Sequence, residues 1–137
     1  MKEIIVDAVI DQVPVVTEFL DGELEKMDCS MKAQIQIDVA IDEIFSNIAF
    51  YAYEGQEGKK DVRIGIEALK EGKGAAITFI DRGMHYDPLK KEDPDVTLSA
   101  EKRGIGGLGI FMVKKTMNEV IYEYKDGENR LTLIKKW

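Results

Sequence analysis

The sequence is poor in the residues that build disulfide frameworks and metal centres. Its one cysteine, Cys29, excludes an intramolecular disulfide and a cysteine-rich metal site, and makes a reducing compartment the natural setting. Its one histidine, His85, excludes a metal site built on several histidines. A Ser-His-Asp triad would have to use that histidine with no nucleophile elbow beside it, so His85 reads as a loop residue. Nowhere do about 18 apolar residues run uninterrupted, and Met1-Lys2-Glu3-Ile4-Ile5-Val6-Asp7 lacks the core of a signal peptide. A soluble, cytoplasmic protein with no membrane partner is expected. Positive charge is in deficit, with 19 Lys and Arg against 26 Asp and Glu and a formal charge of -7. That field repels a phosphate backbone and argues against nucleic acid as a direct partner. A nucleotide is not excluded, because backbone N–H groups and Mg²⁺ can offset the charge locally.

Hydrophobic residues make up 45% of the chain and charged residues 33%, which is too apolar for disorder. With no internal repeat, low-complexity tract or linker, residues 1–137 read as one domain. Residues 3–10 predict a strand, and Val13 to Met27 a helix in which Pro14 falls in the first turn and Val16, Phe19, Leu20 and Leu24 recur at helical spacing. Ser30 is the expected N-cap of a long helix reaching about Tyr53, with Ile37, Ile41, Ile44 and Ile48 on its apolar face. After a polar loop, residues 62–68 and 75–80 predict a hairpin. A loop over 82–105 leads to a helix from Gly106 to Met117, then to strands at 120–124 and 131–134 joined by an Asp126-Gly127 turn. Helices segregated from hairpin-linked strands predict an α+β two-layer sandwich.

Three places could carry chemistry. Glu43 and Asn47 lie four residues apart and project from one face of the long helix, so a carboxylate and a carboxamide are paired. They could supply a general base and an oxygen ligand to Mg²⁺, or belong to the wet face of an amphipathic helix, as Asp38, Asp42 and Ser46 would. In Ile80-Asp81-Arg82-Gly83 a strand ends in a carboxylate that could accept a hydrogen bond from an exocyclic amine such as adenine's, with Gly83 allowing close backbone approach; the same residues also favour a plain turn. Arg103-Gly104-Ile105-Gly106-Gly107-Leu108-Gly109 opens a helix with four glycines, which suits a phosphate cradle or a flexible hinge. The spacing of Gly104, Gly106 and Gly109 matches a dinucleotide fingerprint, but no strand precedes it and too little chain remains after it for that fold. No Gly-Lys-[Ser/Thr] completes a P-loop.

Together, in this order, the three places resemble the GHKL ATPase superfamily, and within it the anti-sigma-factor serine kinases. Asp42-Glu43-Ile44-Phe45-Ser46-Asn47-Ile48-Ala49-Phe50-Tyr51-Ala52-Tyr53 is similar to that family's N box, and Arg103 to Asn118 is similar to its glycine-rich lid and following helix. The resemblance covers nearly the whole chain. It implies a mixed, mostly antiparallel sheet covered by helices on one face, and ATP and Mg²⁺ as cofactors. Glu43 would be the catalytic base, Asn47 the Mg²⁺ ligand and Asp81 the adenine contact beside Gly83. Gly104, Gly106, Gly107, Leu108 and Gly109 would form the lid over the phosphates, which Arg103 would approach.

The chain departs from the family pattern at three points. Tyr51 stands where the N box often has histidine, and His85 where the first glycine box often has a second glycine. Asn129-Arg130 replaces a Gly-Thr pair near the last strand, which leaves the hydroxyl partner of Asp81 unassigned. The implied activity is transfer of the ATP γ-phosphoryl group to a serine of an anti-sigma-factor antagonist, together with sequestration of a sigma factor. A homodimer is compatible with it. The alternative is a nucleotide-gated protein-binding module without phosphoryl transfer.

Overall fold

A computed structural model describes residues 1–90 and 108–137 of the chain. Strand β1 (Lys2–Asp7) leads through a 3-10 turn at Ile10–Gln12 into helix α1 (Val13–Lys26). The strand is shorter than residues 3–10 because Asp7, opposite Asp61, is its last paired residue, and the Val9 N–H turns back onto the Asp7 carbonyl. Pro14 sits in the first turn of α1, where its missing N–H breaks no helical hydrogen bond. Val16, Leu20 and Leu24, each 0% exposed, form the buried stripe. The helix runs through Gly22 because one interior glycine costs about 1 kcal/mol, less than a single fully buried aliphatic side chain contributes.

Helix α2 (Met31–Asn47) starts as expected, with the Ser30 hydroxyl accepting the Ala33 N–H at 3.2 Å. Ile37, Ile41 and Ile44 line its buried face. It does not continue as an α-helix to Tyr53. After Asn47 it widens into a π turn, Ile48–Ala52. Tertiary bonds hold this wider turn: the Ala52 carbonyl accepts the Met84 N–H at 2.8 Å, and the buried Tyr53 hydroxyl donates to the Asp61 carbonyl and accepts the Arg82 N–H.

The remaining elements are β2 (Asp61–Ala68), β3 (Gly74–Asp81), a 3-10 turn at Pro88–Lys90, α3 (Leu108–Thr116), β4 (Glu119–Lys125) and β5 (Glu128–Lys136). The strands form one open sheet in the order β1-β2-β3-β5-β4, and every pairing among the described residues is antiparallel. Asp126 and Gly127, at φ 54° and 76°, make the two-residue turn between β4 and β5. Ile64, Phe79 and Leu131 form one rung of the inner face, and Ile66, Ile77 and Leu133 the next. These rungs and the buried stripes of the three helices make a single core, so the architecture is the α+β two-layer sandwich of the GHKL type. Among the described residues, no helix is long and apolar enough to cross a membrane.

The α1–α2 seam carries one polar pair. Burial, followed by the hydrogen bond and the charge of the adjacent Asp21 carboxyl, pushes Asp38 up to about 7; the buried Oδ1 atoms of the pair have no other partner among the described residues.

Candidate functional site

The apolar rungs of the inner face give way to polar residues at one end of the sheet. Asp81 comes after Ile77 and Phe79 on β3, and Asn129 precedes Leu131 and Leu133 on β5; the two stand opposite each other, 6% and 7% exposed. Buried polar groups need partners, and these two satisfy each other. Asn129 Nδ2 donates to Asp81 Oδ1 at 3.0 Å and to the Met84 carbonyl at 2.8 Å. Asn129 Oδ1 accepts from the Tyr122 hydroxyl and, at 3.3 Å, from the Tyr86 N–H. Asp81 Oδ1 also accepts the Gly83 N–H at 2.8 Å, an Asx turn that closes the end of β3. Desolvation raises the Asp81 carboxyl above its ordinary value, opposed by the hydrogen bonds from Asn129 and Gly83. No partner reaches Asp81 Oδ2 among the described residues, so this oxygen is the acceptor Asp81 has left.

Asp81 and Asn129 line a cavity of about 490 Å³. Phe79, Leu131 and Tyr122 supply sheet walls, Ile44, Asn47, Ile48 and Tyr51 the wall from α2 and the π turn, and Ile110 the wall from α3. Met84, Tyr86 and Pro88, from the segment after β3, also line it, as do Ala52 and Glu54. An apolar cleft with a few convergent polar groups is the usual form of a small-molecule site. The backbone leaving β3 is held close by glycine: a Cβ on Gly83 would lie 2.2 Å from the Ala52 carbonyl oxygen. His85 lies further along this segment as a loop residue, its ring stacked on Tyr124 with centroids 4.0 Å apart.

Glu43 and Asn47 meet on α2 as their spacing requires. Asn47 Nδ2 donates to Glu43 Oε1 at 3.0 Å, and the side-chain oxygen of Asn47 has no partner among the described residues; Asn47 lines the cavity. Glu43 is half-buried because its carboxylate rests against the start of α3, where a Cβ on Gly109 would fall 2.0 Å from Glu43 Oε1. Asp42, next in sequence, is exposed, so the two neighbouring carboxylates have different surroundings.

The structure thus brings Asn47 and Asp81 to one cavity; Gly83 bonds to Asp81 without lining it, and Glu43, also outside the lining, is in contact with Gly109. Leu108 is the first residue of α3, while Arg103, Gly104, Gly106 and Gly107 lie outside the described residues. Sequence reasoning assigned no role to Tyr53, Tyr86, Tyr122 or the amide of Asn129. The one available signal was a polar residue breaking the apolar alternation at the ends of two strands.

Comparison with known proteins supplies the family. Residues 6–135 match the model of the histidine kinase-like ATPase domain. The chain is 29% identical over 112 residues to the serine-protein kinase RsbW of Listeria monocytogenes, an alignment covering 79% of this chain and 69% of that one. It is 24% identical over 104 residues to the serine/threonine-protein kinase BtrW of Bordetella bronchiseptica, covering 76% and 71%. To RsbW of Bacillus pumilus it is 24% identical over 112 residues, covering 79% and 68%. The family match runs from the end of β1 to the last turn of β5 and so takes in the sheet, its helical layer and the cavity between them: this chain belongs to the histidine kinase-like ATPase domain family.

Proposed function

We propose that this chain is an ATP-dependent protein serine kinase of the anti-sigma type, which phosphorylates a serine of an antagonist protein and sequesters a sigma factor. The observation that carries the proposal is the buried Asp81 with one carboxylate oxygen engaged and the other left over on the wall of an apolar cavity. An exocyclic amine is the donor such an oxygen needs, and the cavity walls suit a flat base. The names of the relatives support the kinase reading.

The Glu43–Asn47 pair supplies the rest of the chemistry. The antagonist's serine oxygen attacks the γ-phosphorus while its proton passes to the Glu43 carboxylate, and the bond to the β,γ-bridging oxygen breaks to release ADP. Glu43 is kept in place by the amide of Asn47 and by Gly109, and phosphoryl transfer depends on such positioning. The free carbonyl oxygen of Asn47 is a hard donor suited to Mg²⁺. Among the described residues, no cluster of three or more carboxylate, histidine or cysteine side chains could hold a metal, which fits an ion that retains waters and phosphates as ligands. When bound, Mg²⁺ would neutralise charge on the phosphates. Arg103, Gly104, Gly106, Gly107, Leu108 and Gly109 are assigned to the phosphates by the family pattern.

Transfer of ³²P from γ-labelled ATP to a serine-bearing antagonist tests this function. Glu43→Ala should lower turnover about 10²- to 10⁴-fold and largely spare ATP binding. Unchanged turnover in the variant would refute the role of Glu43. ATP binding without any transfer by the native chain would leave the nucleotide-gated binding module.

A further inference from the structure

We propose that Asn129, held by Tyr122, is the residue that makes this cavity select an amino-purine over an oxo-purine nucleotide. The inference rests on the nucleotide-binding reading above and adds a specificity-determining residue to it. Asn129 Nδ2 occupies Asp81 Oδ1, and the Gly83 N–H occupies the same oxygen, so Asp81 offers one acceptor rather than two.

The donors around that acceptor are equally committed. The two amide hydrogens of Asn129 go to Asp81 and the Met84 carbonyl, and the Tyr122 hydroxyl hydrogen goes to Asn129 Oδ1. The Met84 N–H goes to Ala52 and the Tyr86 N–H to Asn129. Among these groups, a base edge arriving at Asp81 therefore meets an unpaired acceptor and no spare donor. The 6-amino group of adenine satisfies that acceptor. The 6-oxo group of hypoxanthine or guanine brings an acceptor that would be buried without a partner, and sites built on hydrogen bonds reject such mismatches strongly. The N1–H and 2-amino group of guanine could engage the carboxylate as a bidentate pair only through two free oxygens, and Asn129 and Gly83 occupy one.

Amide orientation is fixed as well. With Oδ1 accepting from Tyr122 and Tyr86, a flipped Asn129 would set oxygen against the Asp81 carboxylate and the Met84 carbonyl, and NH₂ against the Tyr86 N–H. Tyr122 is thus a positioning residue, acting on the base through Asn129. Asp81 and Asn129 are 48 residues apart in sequence and meet only through the register of β3 with β5.

The test is calorimetric titration with ATP, ITP and GTP in the presence of Mg²⁺, for the native chain, Asn129→Ala and Tyr122→Phe. The native chain should bind ATP at least about tenfold more tightly than ITP, as expected for one mismatched buried hydrogen bond. Asn129→Ala should shrink that ratio toward unity, since it removes one of the two hydrogen bonds on Asp81 Oδ1 and makes room for water. Tyr122→Phe keeps the shape of the cavity and the fold, and should shrink the ratio part of the way. Equal losses of ATP and ITP affinity in both variants would reduce Asn129 to a structural prop and overturn the proposal. So would a native chain that binds the two nucleotides equally. Failure of the native chain to bind any of the three would overturn the nucleotide-site reading itself, a result visible before either variant is made.

Discussion

Gly83→Ala is the substitution for which the structure gives the most definite consequence. The glycine is buried and its φ lies outside the left-handed region, so alanine's backbone preference is not at issue. The obstacle is steric. A Cβ would stand 2.2 Å from the carbonyl oxygen of Ala52, 2.6 Å from its carbonyl carbon and 2.7 Å from its Cβ. Two of these are backbone atoms of the π turn, which cannot swing aside as the end of a side chain can. Relief requires moving that turn from the strand end, which also breaks the Met84 N–H to Ala52 hydrogen bond of 2.8 Å. Overpacking of this kind costs about 1–3 kcal/mol and a lost hydrogen bond about 0.5–1.5 kcal/mol, giving about 1.5–4.5 kcal/mol together. Against a typical total of about 5–15 kcal/mol, that is a large fraction, equivalent to a fall in Tm of roughly 6–20 °C for a chain of this size. Urea denaturation followed by circular dichroism measures it directly. A loss within about 0.5 kcal/mol, the range of an innocuous surface change, would show that the turn does not press on Gly83, and the π turn could not then be the cavity's backbone wall.

Gly22→Ala should have the opposite sign. Nothing lies within 4 Å of a Cβ at Gly22, so the change should stabilise the chain by about 0.5–1 kcal/mol in the same denaturation experiment, and a loss would mean that α1 packs differently there. Asp38→Asn tests the polar pair in the α1–α2 seam. The Asp38 carboxyl is raised from its ordinary 3.8 to about 7 by burial and by Asp21, so its stabilising contribution is complete below pH 3.8 and is lost as pH climbs through about 7. The variant should therefore be more stable than the native chain at pH 8, by about 1–2 kcal/mol after allowance for partial solvent screening, with a much smaller gain at pH 5. An equal difference at both pH values would rule out titration of Asp38 as the cause.

The helices and the hairpins were legible because their signals are local. Ser30 caps α2, Val16, Leu20 and Leu24 keep helical spacing, and Asp126-Gly127 is a turn by chemistry alone. The α–π transition after Asn47 was not legible, since Ile48, Ala49, Phe50, Tyr51 and Ala52 continue an acceptable helical pattern. Bonding to Met84 and packing on Gly83, far away in sequence, widen the turn. Within the site, Glu43 and Asn47 were readable as a pair because four-residue spacing fixes their relation on a helix. Asp81 was readable as a strand-end carboxylate, but its partner was not. Asn129 lies just past the Asp126-Gly127 turn and drew attention only as a departure from a Gly-Thr pattern. Its role depends on which residue of β3 stands opposite, and the register of two non-consecutive strands is set by the whole inner face. Tyr122 likewise read only as a residue of the strand at 120–124.

The π turn also bears on how this chain can change over time. A π turn is in effect a helix carrying one surplus residue, and deleting that residue would restore ordinary α-helical winding with no local penalty. The deletion would nevertheless rotate the downstream backbone by about 100° and carry the Ala52 carbonyl and the Tyr53 hydroxyl away from the end of β3, where they anchor Met84 and Arg82. Residue identity is comparatively free at Phe50, which is exposed and does not line the cavity. Residue number is not. Between Asn47 and Tyr53 the chain keeps a count as well as its cavity-lining residues, and length polymorphism there would be felt at the cavity rather than in the helix.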